Sequence, residues 1–159
     1  DDKKVKEEVY KATIPTHNHP ESLLCVNALA KTILLAKQKV SKENIKKYIE
    51  NNYFPLNYDI ERLRCNYTFS SRAIESVPQA IYCFLISEDF EDAIRKAISI
   101  GGDTDTIACM TGSIAENYYG VPEEVKENVM RYVPDYMLKV IDEFYYRKKE
   151  KGNVKRLSK

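Results

Sequence analysis

The sequence predicts an all-α fold, an orthogonal multi-helix domain, and three observations carry that expectation. No stretch alternates apolar and polar residues with a period of two. Glycine and proline are scarce, 5 and 6 of 159 residues, so few positions favour the tight turns of a sheet. Apolar residues instead recur at three- and four-residue spacing along almost the whole chain. The length suits one domain with a proper core, and a composition of 43% hydrophobic and 31% charged residues is that of a globular chain.

The elements follow in order. Asp2 to Thr13 reads as a short helix, and Pro15 and Pro20 frame Thr16-His17-Asn18-His19 as an extended linker, because a residue before proline avoids the helical region. Leu23, Leu24, Ala28, Ile33, Leu34 and Leu35 give a long helix from about Glu21 to Lys39 a wide apolar face. Ser41 is a good N-cap for a helix from Lys42 to about Asn51. A loop rich in Asn and Tyr runs to Tyr58, a helical turn spans Asp59 to Cys65, and an irregular stretch reaches Ser71. Ser76-Val77-Pro78-Gln79 is a start signal, with Ser76 and Gln79 placed as a capping box and proline in the first turn. The helix it opens is apolar on most sides to about Ile86 and is expected to be central. Asp89 to Ile100 is amphipathic and ends at Gly101. A helix from Thr104 to Tyr119 stops at Gly120, and Gly112 inside it is expected to permit close helix packing, since an interior glycine costs roughly 1 kcal/mol against alanine. Pro122 and Pro134 start the last two helices. Residues 1–146 are expected to form one domain, and the basic stretch 147–159 a frayed tail, a solvated helix end rather than a phosphate-binding arm.

Charge and cysteine usage exclude several classes. Twenty-five Lys and Arg against 24 Asp and Glu leave a formal charge of +1, which creates no global field for nucleic acid or an anionic membrane. Cys25, Cys65, Cys83 and Cys109 form no CxxC pair, so zinc-finger spacing is absent, and most of them are expected among apolar neighbours. With no signal-like or membrane-length apolar segment, the expected compartment is the cytoplasm. The chain opens on Asp1 rather than Met, which points to sequence preceding it.

Two motifs concentrate chemistry. Gly101-Gly102-Asp103-Thr104-Asp105-Thr106 places two carboxylates and two hydroxyls at a tight connection, the hard oxygen ligands that Mg2+ or Mn2+ requires. It equally suits a glycine that ends one helix and an aspartate that caps the next. Residues i and i+2 of an ideal helix point to nearly opposite sides, so Asp103 and Asp105 converge only if Asp103 precedes the helix and Asp105 lies in its first turn. His17-Asn18-His19 holds both histidines of the chain in a proline-framed loop, placed as a ligand-contacting segment on a rigid scaffold or as a plain surface turn. An HNH nuclease is excluded, since its ββα context is missing. Most of the 12 tyrosines fall at helical spacing and are expected in the core.

Four anchors in order resemble the ADP-ribosylglycohydrolase family: Thr16-His17-Asn18-His19-Pro20-Glu21, Ser76-Val77-Pro78-Gln79-Ala80, Gly101-Gly102-Asp103-Thr104-Asp105-Thr106-Ile107-Ala108, and Thr111-Gly112-Ser113-Ile114-Ala115-Glu116-Asn117-Tyr118-Tyr119-Gly120. The resemblance covers Lys11 to about Tyr146. It implies an all-α fold and hydrolysis of the glycosidic bond joining ADP-ribose to a protein side chain or other acceptor, with a pair of Mg2+ or Mn2+ ions. It further implies that Asp103, Asp105 and Thr106 are metal ligands and that His17, His19 and Gly102 contact substrate.

Family members normally begin with a Gly-Asp segment carrying an acidic residue, then a Thr-Asp-Asp-Thr motif, with Gly-Asn-Gly-Ser just before the histidine loop. None of these is in this sequence; Asp1-Asp2 lies too close to His17, and Lys3 follows it. After Glu21 the chain reads Ser22-Leu23-Leu24-Cys25-Val26-Asn27 where relatives usually have Gly, Lys and Gln. The chain is therefore expected to correspond to the C-terminal half of the fold, with its family acidic residue elsewhere. Helices deprived of the other half would expose apolar faces, which favours a homo-oligomer or a complementary N-terminal chain. The alternative is a catalytically inactive relative that binds ADP-ribose or serves as a structural module.

Overall fold

A computed structural model describes residues 2–157, with side chains described from 3 to 147. Among the described residues there are nine α-helices, one 3-10 turn and no strand. The helices are α1 (Asp2–His17), α2 (Pro20–Lys37), α3 (Lys42–Asn52), α4 (Ile60–Asn66), α5 (Val77–Leu85), α6 (Phe90–Ser99), α7 (Thr104–Tyr119), α8 (Glu123–Met130) and α9 (Asp135–Leu157), with the 3-10 turn at Ala73–Glu75. The chain forms two compact units, Asp1–Gly120 and Val121–Lys159. The position expected to start a frayed tail lies inside α9, which continues to Leu157. The tail's side chains from Lys148 onward lie outside the described residues.

In the first unit α5 is central, as its all-round apolar sequence requires. Val77 to Ile81, Cys83 and Phe84 are all buried, and α5 packs against α2, α6 and α7. Phe84 is fully enclosed, and burying such a ring contributes roughly 1.5–3 kcal/mol. It meets Tyr118 and Tyr119 of α7 edge-on at centroid distances of 5.3 and 6.1 Å. These two tyrosines are half-buried, but the core placement expected of most tyrosines is met only in part, since Tyr10, Tyr132, Tyr136, Tyr145 and Tyr146 are exposed. Gly112 does mark a close approach: a β-carbon there would stand 3.1 Å from Ile94 Cδ1 of α6. Lys39, at φ 57°, reaches the far end of α7 and donates from Nζ to the Asn117 and Tyr118 carbonyls at 3.1 and 2.5 Å. Those carbonyls have no partner within the helix, so the lysine completes its C-terminus.

Three local expectations are corrected. First, α1 does not stop at Thr13 but runs through Pro15 to His17, leaving only Asn18 and His19 between helices. Proline removes one hydrogen bond from the last turn, and the packing of α1 along α2 outweighs that loss. Second, Ser76 and Gln79 do not form a capping box. Ser76 sits at φ −126°, ψ −46°, outside the β region a cap uses, and Gln79 Oε1 is buried without a partner. The preceding 3-10 turn absorbs the Ser76 amide, which donates to the Ala73 carbonyl. Third, only Cys25 and Cys83 are buried; Cys65 and Cys109 are exposed.

In the second unit, Pro122 precedes α8 and the Met137 amide donates to the Pro134 carbonyl at the start of α9. Tyr136, Val140 and Phe144 recur four residues apart on α9 and are all exposed. Among the described residues no helix is long and apolar enough to cross a membrane.

Candidate metal and substrate site

The glycine-aspartate segment is the turn between α6 and α7. Gly101 and Gly102 adopt φ 81° and 67°, the left-handed region that glycine enters without steric cost. They reverse the chain so that Asp103 stands just ahead of α7 and Asp105 lies in its first turn. Asp103 occupies the cap position without capping: its φ −81°, ψ 65° are not those of an ordinary N-cap, and its side chain accepts no bond from the helix amides. Its carboxyl turns to Asp105 instead. The Asp105 carboxyl is held below the usual carboxylate range first by its side-chain hydrogen bonding with Asp103, then by the backbone amides of Thr106 and of Asp105 itself. The placement that convergence requires, Asp103 ahead of the helix and Asp105 in its first turn, is present.

Thr106 follows in the same turn, and Asp105 and Thr106 are both exposed while Asp103 is half-buried. Two carboxylates and one hydroxyl match an oxygen-preferring divalent cation in kind. They supply about three of the roughly six positions that Mg2+ fills. Among the described residues no group of three or more His, Cys, Asp and Glu stands ready to hold a metal.

The histidine segment divides. His17 closes α1 and lines a cleft of about 280 Å³ together with Thr16, Cys25, Val26, Val77 and Met110. Its Nδ1 shares a 2.8 Å hydrogen bond with Thr16 Oγ1. His19 is the N-cap of α2, its Nδ1 accepting from the Glu21 amide at 3.3 Å, and it does not line the cleft. Gly102, Asp103, Asp105 and Thr106 do not line it either. The link between the two motifs is α7 itself. Thr106 and Met110 are one turn apart on the same face, so the acidic turn lies about 6 Å along the helix axis from the cleft wall.

A second link was not legible in the sequence. Tyr67, in the stretch read as irregular, packs its ring against Gly102, and its hydroxyl donates to the Glu75 carbonyl. Arg72, the residue just after that stretch, pairs with Glu21 at 2.7 Å and Glu75 at 2.9 Å. The segment between α4 and α5 thus touches the acidic turn at one end and the start of α2 at the other. Only two aromatics, Tyr67 and Phe69, and a cation among Ser and Thr residues marked it in the sequence.

The arrangement is that of a helical protein with an acidic glycine turn beside a histidine-lined cleft. The family model of the ADP-ribosylglycohydrolases matches residues 1–153, and the chain belongs to that family. The ADP-ribosylhydrolase ARH3 of Bos taurus is 51% identical over 35% of this chain and 18% of its own length. The human ADP-ribosylhydrolase ARH3 is 46% identical over 38% of this chain and 20% of its own. An uncharacterized protein of Archaeoglobus fulgidus is 34% identical over 38% of this chain and 20% of its own. Among solved structures, an "ADP-ribosylglycohydrolase-related protein complex" chain superposes with a TM-score of 0.56 at 24% identity, covering 71% of this chain and 43% of that one. At that identity the likeness concerns the fold. The matched regions span about a fifth of the curated relatives and less than half of the structural neighbour.

Proposed function

We propose that this chain carries part of the active site of a metal-dependent ADP-ribosylglycohydrolase, the part that supplies Asp103, Asp105 and Thr106 to Mg2+ or Mn2+ and His17 to ADP-ribose. The observation that supports the reading is the placement of Asp103 just ahead of α7 and of Asp105 in its first turn, with the Asp103 side chain taking no cap bond from the helix and interacting with Asp105. Two carboxylates held together repel unless a proton or a cation lies between them. Family membership makes ADP-ribose attached to a protein side chain or another acceptor the substrate class of this reading.

When bound, a divalent cation supplies Lewis acidity and a water of lowered pKa for hydrolysis of the glycosidic bond. The chain's own residues orient and exclude. Asp103 and Asp105 present anionic oxygens, Thr106 adds a neutral one, and the paired glycines bring backbone close enough for a ribose to approach. His17, with Nδ1 engaged by Thr16, keeps Nε2 for a ligand in the cleft, and His19 holds the start of α2 while Gly102 shapes the turn. The cleft is slightly smaller than the roughly 300–1,000 Å³ of ordinary small-molecule sites, and the donor set is half of a coordination sphere. Completion by ligands from a complementary N-terminal segment or chain is part of the reading.

The same incompleteness favours a second reading, a module that binds ADP-ribose or assembles without catalysis. Calorimetric titration of ADP-ribose with and without Mg2+ or Mn2+, on this chain and on Asp105→Ala, separates the two. Metal-dependent binding lost in the variant supports the active-site reading. Metal-independent binding supports the module, and no binding by the folded protein removes both ADP-ribose readings.

A further inference from the structure

We propose that Tyr67 is a positioning residue for the acidic turn: its ring occupies the space a side chain at residue 102 would need and holds Gly102 so that Asp103 faces Asp105 instead of capping α7. The proposal rests on the metal-binding reading above. A β-carbon placed on Gly102 would stand 2.7 Å from Tyr67 Cδ1 and 3.1 Å from the Thr68 carbonyl, both inside van der Waals contact. Nothing stands within 4 Å of the corresponding position on Gly101. One glycine of the pair is therefore free, and the other is pressed by a ring.

The ring is fixed from both ends. The Tyr67 amide donates to the Leu63 carbonyl, closing α4, and the hydroxyl donates to the Glu75 carbonyl in the 3-10 turn. Tyr67 packs on a cluster that includes Ala80, Ile100 and Ile107, so the residue joins the elements on either side of the turn. Glu75 is itself tied by Arg72, whose second partner is Glu21.

What the ring opposes is an ordinary cap. An aspartate before a helix gains about 1 kcal/mol by accepting from the amides of the first turn. Asp103 takes no such bond. Relaxation of Gly102 would let the Asp103 backbone move toward the β region, its carboxyl would turn to the helix amides, and the pair with Asp105 would separate.

The test is Mn2+ affinity by calorimetry, with thermal melting and amide exchange measured on the same samples. Tyr67→Ala is expected to weaken Mn2+ binding about tenfold, the scale typical of residues that orient metal ligands. Tyr67→Phe, which keeps the ring, is expected to stay within about twofold of the parent. Leu63→Ala trims the same cluster from α4 and is expected to lower the melting temperature while leaving affinity unchanged. Exchange at Ile107, whose amide donates to the Asp103 carbonyl at 3.0 Å, is expected to quicken in Tyr67→Ala, with exchange at Ile114 unaltered. Tyr67→Leu serves as the reading should Tyr67→Ala fail to fold. Parent-like Mn2+ affinity in the ring-deleted variant, or loss in Tyr67→Phe equal to that in Tyr67→Ala, overturns the positioning role alone. A parent protein that binds no Mn2+ overturns the metal reading and this proposal with it.

Discussion

Thr111 Oγ1 donates to the Ala80 carbonyl at 3.1 Å, a side-chain bond from the middle of α7 to the backbone of α5 with both residues fully buried. It pins the helix that carries the acidic turn to the central helix of the core. Thr111→Val keeps the shape and removes the bond, and about 1 kcal/mol of stability is expected to go with it. Urea unfolding measures the difference; a variant as stable as the parent would show that the contact is spectator packing.

The paired glycines should not be equivalent. Both hold positive φ, which costs an L-residue roughly 1–2 kcal/mol. Gly101→Ala meets open space and is expected to cost about that much and no more. Gly102→Ala meets the Tyr67 ring and the Thr68 carbonyl as well, so its denaturation midpoint is expected to fall further. Equal losses would contradict the crowding at Gly102.

Helix starts offer a graded comparison. Asp89 accepts from the Asp92 amide at 2.8 Å and Ser41 from the Asn44 amide at 3.4 Å, whereas Ser76 caps nothing. Asp89→Ala is expected to cost about 1 kcal/mol, Ser41→Ala less, and Ser76→Ala least. Chemical denaturation of the three variants ranks them, and a large loss at Ser76 would restore the capping box that the sequence suggests.

Alkaline pH should loosen the core. Burial pushes the Cys83 thiol up to about 12 and the Cys25 thiol to about 11, while an unfolded cysteine ionises near 8.5. Between those values the native state keeps protons that the unfolded chain has released. Stability is therefore full below about pH 8.5 and declines as pH rises toward the native values. Cys83→Ala is expected to flatten part of that decline in midpoints measured up to about pH 10. At neutral pH a thiol reagent is expected to label Cys65 and Cys109 in the native protein and to spare the buried pair.

The sequence made legible whatever depends on spacing. Apolar residues at helical intervals located α2, α5, α6 and α7 to within a few residues, and two aspartates after two glycines implied the geometry in which they converge. It misled where packing outweighs a local rule. Pro15 reads as a break, yet α1 passes through it because α2 supports the helix on one side. Ser76 and Gln79 have the letters of a capping box, but the 3-10 turn before them fixes dihedrals that forbid it. His19 looks like a partner of His17, while its ring nitrogen is engaged in starting α2. Tyr67 and Arg72 stayed hidden because their roles depend on residues 35 and 51 positions away, at Gly102 and Glu21, and no local pattern encodes that.

The division of the chain after Gly120 has a practical corollary. Every residue of the acidic turn, the cleft and the segment between α4 and α5 lies before it, and α7 brings its own terminators, Gly120 at φ 85° and the Lys39 ammonium on its last carbonyls. The first unit is thus sealed at the point where a cut would fall. A polypeptide ending at Gly120 should melt cooperatively and titrate Mn2+ as the full chain does, which would make these 120 residues a transplantable cassette for rebuilding a complete site from separate pieces.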